Sequence, residues 1–470
     1  MRTGEAKGVA TYSSVCVQVE GLQRQCFILP REYILDSEGN ETEHKVSILD
    51  HVFPEFFQIA KSKGIKGHKC KPVTRNYMYH FQEKDVPESG EYLKCVYSAE
   101  YPPMNNDLSG RSFKRIFGTQ QSTLELFLLK RDLMGPCWIN IKGAQKVAAP
   151  LSHCKYEFRV ADSKSVAKIP KQPESPTLVV MSVHMHTVKN VSDHANEIAM
   201  LSCLVHPEVS IEGPTDNPEK KLSSFTVVRK LEGQAWPLDL QTKLEEYNKA
   251  NPNAPRSIQA SERALLSFFL MKMSSIDPDV IVGHNFIGFD LDVLLHRMQK
   301  TKIPQWSKLG RLRRTVMPKL QANAGGMGQA TWAEKTVTAG RLICDTYINA
   351  KEHLRETTYT LGELSRTQLG KTRQDIDINQ VGSYFSKATD LLKLTAHNEN
   401  DTWLAMSLMF KLMLIPLTKQ LTNLSGFLWS RSLVSQRAER VEYLLLHEFH
   451  RLKFVMPEKV PFKGKGQDDG

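Results

Sequence analysis

Apolar positions follow two different rhythms along the 470-residue chain. From residue 1 to about 165 they come in short runs. Val15, Val17 and Val19 alternate with polar neighbours, and Cys26-Phe27-Ile28-Leu29 runs up to Pro30. Such runs predict strands rather than long helices. One helix is predicted in this region. Ser122 to Glu125 (STLE) has capping-box spacing, with Leu124, Phe127 and Leu128 expected on one face. It should end near Gly135-Pro136, with Trp138-Ile139-Asn140-Ile141 as the next strand.

The stretch Pro170 to Pro176 (PKQPESP) then marks a domain boundary. Beyond it Leu178-Val179-Val180-Met181-Ser182-Val183 is nearly continuous, as in a strand covered on both faces. Ala264 to Met273 predicts a helix and Val280 to Gly283 another buried strand. Leu291, Leu294, Leu295 and Met298 recur at helical spacing. Buried strands alternating with helices predict an α/β domain. Trp403 to Leu417 reads as one buried helix, short of a membrane span and interrupted by Lys411. Gln321 to Thr338, with Gly325, Gly326 and Gly328, reads as a mobile loop, and Lys463 to Gly470 as a frayed end.

Composition changes this picture little. Lys and Arg outnumber Asp and Glu, 62 to 51, a net charge of +11 that suits a polyanion partner without requiring one. The eight cysteines form no C-x-x-C pair and no zinc-finger spacing, which predicts free thiols in a reducing compartment. The first residues lack the apolar core of a signal peptide.

Candidate chemistry centres on Asp277 to Asp292, DPDVIVGHNFIGFDLD. A strand ends at Gly283, a polar turn follows, and Asp290 starts a helix. Ligands of open α/β sheets bind at such strand ends, and a carboxylate there suits a divalent cation. The plainer alternative is a carboxylate stabilised by the helix dipole. Two basic strips stand out: Lys308, Arg311, Arg313, Arg314 and Lys319, then Arg431, Arg437 and Arg440. They are candidate phosphate contacts or, equally, solvated faces and partners of inner carboxylates. Gly370-Lys371-Thr372 lacks the preceding glycine of a P-loop.

The segments CFILPREYI, LELFLLKRDLMGPCW, GHN with Phe289-Asp290, and SKLGRLRR resemble B-family DNA polymerases, of the alpha type. The resemblance implies an α+β / α/β multidomain fold. It has a β-rich N-terminal domain with an OB-like core (1–170) and an RNase H-like 3′–5′ exonuclease-type domain (171–414). A return segment (415–465) and a tail (466–470) follow. It also implies three exonuclease motifs. The second matches Asp290. The third is Tyr-x-x-x-Asp, here His397 to Asp401. The first is Asp-x-Glu, here His184-Met185-His186. Proofreading hydrolysis uses two hard cations roughly 4 Å apart, held by carboxylates. Histidines in place of the leading pair predict an inactive site with no metal bound. A two-His, two-Asp site for zinc or manganese, from His184, His186, Asp290 and Asp401, is the rival expectation.

Neither palm motif of the polymerase, D-x-x-S-L-Y-P-S or Y-G-D-T-D-S, occurs in the sequence. No cofactor is therefore expected in this chain, the Mg2+ of polymerisation belonging to a palm. The resemblance implies a stretch that binds and scaffolds a DNA template and its RNA–DNA primer. Primase subunits and a polymerase accessory subunit are the implied protein partners, in the nucleus and with no membrane. Alternatives are a free-standing 3′–5′ exonuclease and a short non-catalytic regulatory protein.

Overall fold

The structure, a computed structural model, describes residues 2–6, 9–190, 194–216, 218–219, 222–320 and 335–458. Most of the expected loop at 321–338 and the expected frayed end at 463–470 lie outside them. The chain forms two compact units. One comprises Val17–Gln145, Phe158–Lys171 and Ala438–Gly470; the other comprises Met1–Cys16, Lys146–Glu157 and Gln172–Arg437. The expected boundaries at 170/171 and 414/415 compare with breaks at 171/172 and 437/438.

The first unit is β-rich. Strands β1 (Gln23–Pro30), β2 (Lys69–Tyr77), β3 (Ser89–Ser98) and β4 (Phe113–Phe117) join Phe454–Val455 in a five-stranded sheet. The order is Phe454–Val455, β2, β3, β1, β4, antiparallel except at the Phe454–Val455 edge. Alternation along β3 sends Leu93, Cys95 and Tyr97 to one face, where Phe56 and Ala60 of helix α1 (Phe53–Ser62) cover them. Tyr92 packs on the opposite face with Leu29, Tyr77 and Phe117. Helix α2 (Thr123–Arg131) opens with the reciprocal cap: the Glu125 N–H donates to Ser122 Oγ at 3.1 Å and the Ser122 N–H to Glu125 Oε2 at 2.9 Å. Its buried face is Glu125, Leu126 and Leu129, not Leu124, Phe127 and Leu128, and Leu124 is exposed. A cap fixes where a helix starts; what packs beside it decides which face is covered.

The second unit is built on a six-stranded mixed sheet. Its strands are β5 (Leu178–Lys189), β6 (Asn196–Val209), β7 (Ser223–Arg229), β8 (Arg256–Gln259), β9 (Val280–Gly283) and β10 (Leu342–Asp345). They lie in the order β8-β7-β6-β5-β9-β10. β6 is antiparallel to β5 and β7, and the remaining pairs are parallel. Met181, Val183 and Met185 of β5 pack against helices α3 (Glu262–Ile276) and α4 (Leu291–Lys300). The alternate residues face the other way. Val180 joins Met406 and Met409 of helix α5 (Ala388–Lys411), and Leu414 and Ile415 of α6 (Leu414–Ser425).

The single helix expected over 403–417 is broken. Met413 adopts a left-handed backbone, φ 52°, and α5 and α6 meet at 45°. Pro416 is the reason, since in a continuous helix its ring would clash with the Leu412 carbonyl. The break puts Pro416 in the first turn of α6, where no N–H is needed. No single described helix is long and apolar enough to cross a membrane. The chain re-enters the β-rich unit through helix α7 (Arg437–Leu452), which buries Tyr443, Leu446 and Phe449 and exposes Leu444.

One ion-paired cluster ties the end of α3 to the segment after Leu309. Asp277, left-handed at φ 50°, caps α3. It accepts from Arg311 Nε at 2.9 Å and from Arg341 at 2.8 Å, and Arg311 also reaches Asp279 at 2.8 Å. Burial raises the Asp277 carboxyl pKa, but Arg311, Ser14 and Arg341 outweigh it and leave the group below its ordinary 3.8. Arg311→Ala should destabilise the protein by roughly 2–4 kcal/mol near pH 7. A carboxylate with a depressed folded pKa contributes stability above its unfolded value and loses it as the pH falls through the folded one. The gap between wild type and variant in urea unfolding should therefore narrow below pH 3.8. An unchanged gap at lower pH would show that Arg311 acts through packing.

Candidate functional site

Strand β5 and helix α5 bring the chemistry together. Period-2 alternation sets Ser182, His184 and His186 on the face of β5 that looks at α5. Helical spacing sets Asn398, Asp401 and Thr402 on the face of α5 that looks back, and all three are buried. Ser182 Oγ donates to the Thr402 carbonyl at 2.8 Å, which locks strand and helix in register.

His184 and His397 are held in defined tautomers. Asn398 uses both its amide protons, one to Ser202 Oγ at 2.7 Å and one to the His184 carbonyl at 3.2 Å. Its Oδ1 is left to accept, and His184 Nδ1 donates to it at 2.7 Å. In neutral His184 the bare nitrogen is then Nε2, which stands 3.7 Å from Asp401 Oδ2. His397 Nε2 donates to the Gln374 carbonyl at 2.5 Å, so its bare nitrogen is Nδ1, 3.5 Å from the same oxygen. His186 Nε2 is shut off from solvent without a partner, as is His397 Nδ1. One ligand atom each from His184, His186 and Asp401 lies within 4.8 Å of the others. Burial lowers the pKa of His184, and Asp401 only partly offsets it. His186 is pushed down to about 3 by burial and then by His184 and His397.

Asp401, fully buried, has one strong partner. Arg373 Nε and Nη2 bond its two oxygens at 2.7 and 2.8 Å, and Arg373 also pairs with Asp375. Such a two-pronged pair is among the stronger charge-assisted contacts. Burial raises the Asp401 pKa, and its partners, the Arg373 guanidinium first, more than reverse it.

Asp290 stands outside this group. Its neighbour in charge is Asp345, at the end of β10. Asp345 accepts from the backbone N–H of Asn285 at 3.0 Å, Ile287 at 2.9 Å and Tyr347 at 3.0 Å. Burial nonetheless raises it to about 6. Asp290 Oδ2 is buried without a partner, and burial followed by Asp345 holds that group protonated well above the carboxylate range. The four residues of the two-His, two-Asp expectation are thus not gathered: Asp290 is outside the group, and His397 stands beside Asp401 without belonging to it.

These residues do not fit a pair of hard cations. His184 and His186 offer imidazoles where paired hard cations would need carboxylates, Asp401 is taken by a guanidinium, and Asp290 lies near another acid. No two-metal hydrolytic step follows from this geometry.

The basic strips divide. Arg311 is consumed by Asp277 and Asp279. Arg437 pairs with Glu352 at 3.1 Å. Arg313, exposed, donates to the Ser152 carbonyl at 2.7 Å, and Arg314 to Thr336 Oγ1 at 3.0 Å. Lys319 is exposed, and Lys308, Arg431 and Arg440 are half-buried, Arg440 in the β-rich unit. A third basic site escaped the sequence. In the β-rich unit Arg75, Lys94 and Lys453 line a cleft with Phe27, Gln120 and Gln121. The Arg75 and Lys94 cations lie 6.0 and 5.7 Å from the Phe27 ring centre. Burial, then Lys130, Arg75, Lys71 and Lys453, lowers Lys94 to about 8. These residues come from separate strands and a turn, so no local run announces them. Arg373 was missed for the same reason, 28 residues before its partner. Asn398 was legible, three residues before Asp401 on one helix.

Comparison with known proteins gives a consistent answer. Residues 114–364 match the family described as DNA polymerase family B, exonuclease domain. The chain is 40% identical over 456 residues to the DNA polymerase alpha catalytic subunit of Xenopus laevis, covering 96% of this chain and 30% of that protein. It is 37% identical to that of Arabidopsis thaliana over 97% of this chain and 32% of that one. With that of Mus musculus the identity is 38%, over 99% and 31%. The chain therefore spans about a third of the length of the curated relatives it matches. The family B DNA polymerase of the hyperthermophilic archaeon Pyrobaculum calidifontis superposes with a TM-score of 0.59 at 16% identity, over 95% of this chain and 48% of that one. That likeness shows the fold, a β-rich region and an RNase H-like sheet.

The paired acids make a pH prediction. A carboxyl whose folded pKa is raised contributes stability that is complete below its unfolded value, 3.8, and lost as the pH rises through the folded value, about 6 for Asp345. Asp290→Asn keeps the shape and removes one of the two acids. It should stabilise the protein by roughly 1–3 kcal/mol at pH 8, with the gain fading towards pH 4. Denaturant midpoints at the two pH values measure this, and a loss of stability at pH 8 would contradict the pairing.

Proposed function

The chain belongs to family B of the DNA polymerases through its exonuclease domain, and from that premise we propose that it is the template-binding, non-proofreading part of an alpha-type replicative polymerase. The observation that carries the reading is the pair His184 and His186 facing an Asp401 already neutralised by Arg373. Proofreading needs a negatively charged pocket that gathers two cations around the scissile phosphate. Here the pocket holds one carboxylate, one guanidinium and three imidazoles. In the proposed reading the domain keeps its fold as a scaffold and has given up the reaction.

In this proposal polymerisation, with its Mg2+, belongs to a palm, whose motifs do not occur in this sequence. Extension of an RNA–DNA primer beside primase subunits and an accessory subunit, in the nucleus, extends the same proposal to the whole protein. The template contact has its own support. The cleft of Arg75, Lys94 and Lys453 around Phe27 joins positive charge to an aromatic ring, the combination that binds single strands.

Two measurements test this. Labelled single-stranded DNA incubated with the protein and Mg2+ or Mn2+ should show no 3′–5′ shortening. His184→Asp combined with His186→Glu should not restore it, because Arg373 still holds Asp401. Digestion by the wild type that is lost in Asp401→Ala would establish the free-standing exonuclease instead. In a salt titration of single-stranded DNA binding, Arg75→Gln and Lys94→Gln should each weaken affinity and lower the slope of log K against log salt by about 0.7. Unchanged slopes would remove the cleft from the interface.

A further inference from the structure

We propose that His184, His186 and Asp401, with His397 beside Asp401 as a further donor, form a site for one transition-metal ion, Zn2+ being the ion the donor set suits. The proposal goes beyond the reading above, which concerns paired hard cations and hydrolysis.

Three features of the site support it. The first is donor chemistry. Imidazole nitrogens with one carboxylate suit zinc and its neighbours, not magnesium. The second is spacing. Donors of a tetrahedral zinc, each 2.0–2.1 Å from the metal, stand about 3.3 Å apart. His397 Nδ1 and His184 Nε2 stand 3.5 and 3.7 Å from Asp401 Oδ2. His186 lies within 4.8 Å of the His184 and Asp401 donors, so it must approach by an ångström or so. The third is orientation. Metal-bound histidines present a bare nitrogen to the ion and donate the other N–H to an oxygen behind them. His184 does this through Asn398 and His397 through the Gln374 carbonyl.

What the site lacks is protons. His184 Nε2 and His397 Nδ1 present lone pairs beside a carboxylate oxygen, and His397 Nδ1 and His186 Nε2 are buried without a hydrogen-bond partner. A bridging water has only two protons to give to them. A cation meets every acceptor at once. His397 also lines an open cleft with Gln374, Tyr384 and Lys393, which gives an ion a way in. Arg373 opposes binding, since its charge already sits on Asp401. Oδ2 keeps a second lone pair, so the guanidinium weakens the site without closing it.

The test uses the untagged full chain, stripped with a chelator. Zn2+ is titrated in competition with a chromophoric chelator, and Co2+ uptake is followed by absorption. One ion per chain is expected, with Co2+ bands of a nitrogen- and oxygen-ligated tetrahedral site. His186→Gln with His397→Gln should weaken binding by at least about 100-fold, and Arg373→Gln should tighten it. Asn398→Leu should cost about 10- to 100-fold by freeing His184 to turn. Circular dichroism reports whether each variant is folded. The wild-type Co2+ spectrum needs no variant: a sulfur-to-cobalt charge-transfer band would place the ion on the cysteines and overturn the proposal. So would no stoichiometric uptake, or uptake unchanged in the double histidine variant. None of these outcomes bears on the nuclease result.

Discussion

A carboxylate with no exposure to water must have a counter-charge, and the α/β unit is arranged around that need at Asp401. Its position is not free to change, because α5 packs along β5 and Asp401 sits on the packed face. Left alone there, the charge would cost several kcal/mol. In a two-cation nuclease the ions themselves serve as counter-charge. Here Arg373 serves, from a loop that no strand or helix contains. Once a guanidinium fills that role, the neighbouring positions need no negative charge, and neutral histidines fit beside it. Burial then keeps His184 and His186 neutral, so they do not compete with Arg373 for Asp401.

The same unit shows two other answers to the problem of buried charge. Glu197, Arg229, Glu262 and Arg297 form a chain in which each acid meets a base, with contacts of 2.7 Å between Arg229 and Glu197 and 3.1 Å between Arg297 and Glu197. Asp290 and Asp345 instead meet each other. Asp345 is supported by backbone N–H groups, while Asp290 avoids the conflict by keeping its proton. An acid that holds its proton is a poor ligand for a hard cation. Asp290 in this state is therefore poorly suited to bind one.

Basic residues divide by what they meet. Arg311, the centre of the first strip, is an internal cross-link between the end of α3 and the segment that follows Leu309. Around Phe27 in the β-rich unit, by contrast, Lys94 is surrounded by like charges, and the members of that cluster carry no common sequence signature. A surplus of positive charge thus carries no location of its own, and packing decides which cations are paired internally and which face a cleft.

The sequence alone determined the class of each unit and the start of several elements. Periods of two and near 3.6, a capping box at Ser122, and strand-turn-helix punctuation at Gly283 are local, and local patterns depend on neighbours within a few residues. It also put His184 and His186 on one face of β5, because alternation along a strand does so whatever surrounds it. Tertiary structure decided the rest. It chose Leu126 over Leu124 as the covered side of α2, broke the 403–417 run at Met413, sent Asp290 to Asp345, and brought Arg373 and His397 to Asp401. Each of these turns on contacts between residues far apart in the chain. Counter-charge, tautomer and burial are properties of such contacts, and a linear pattern does not record them.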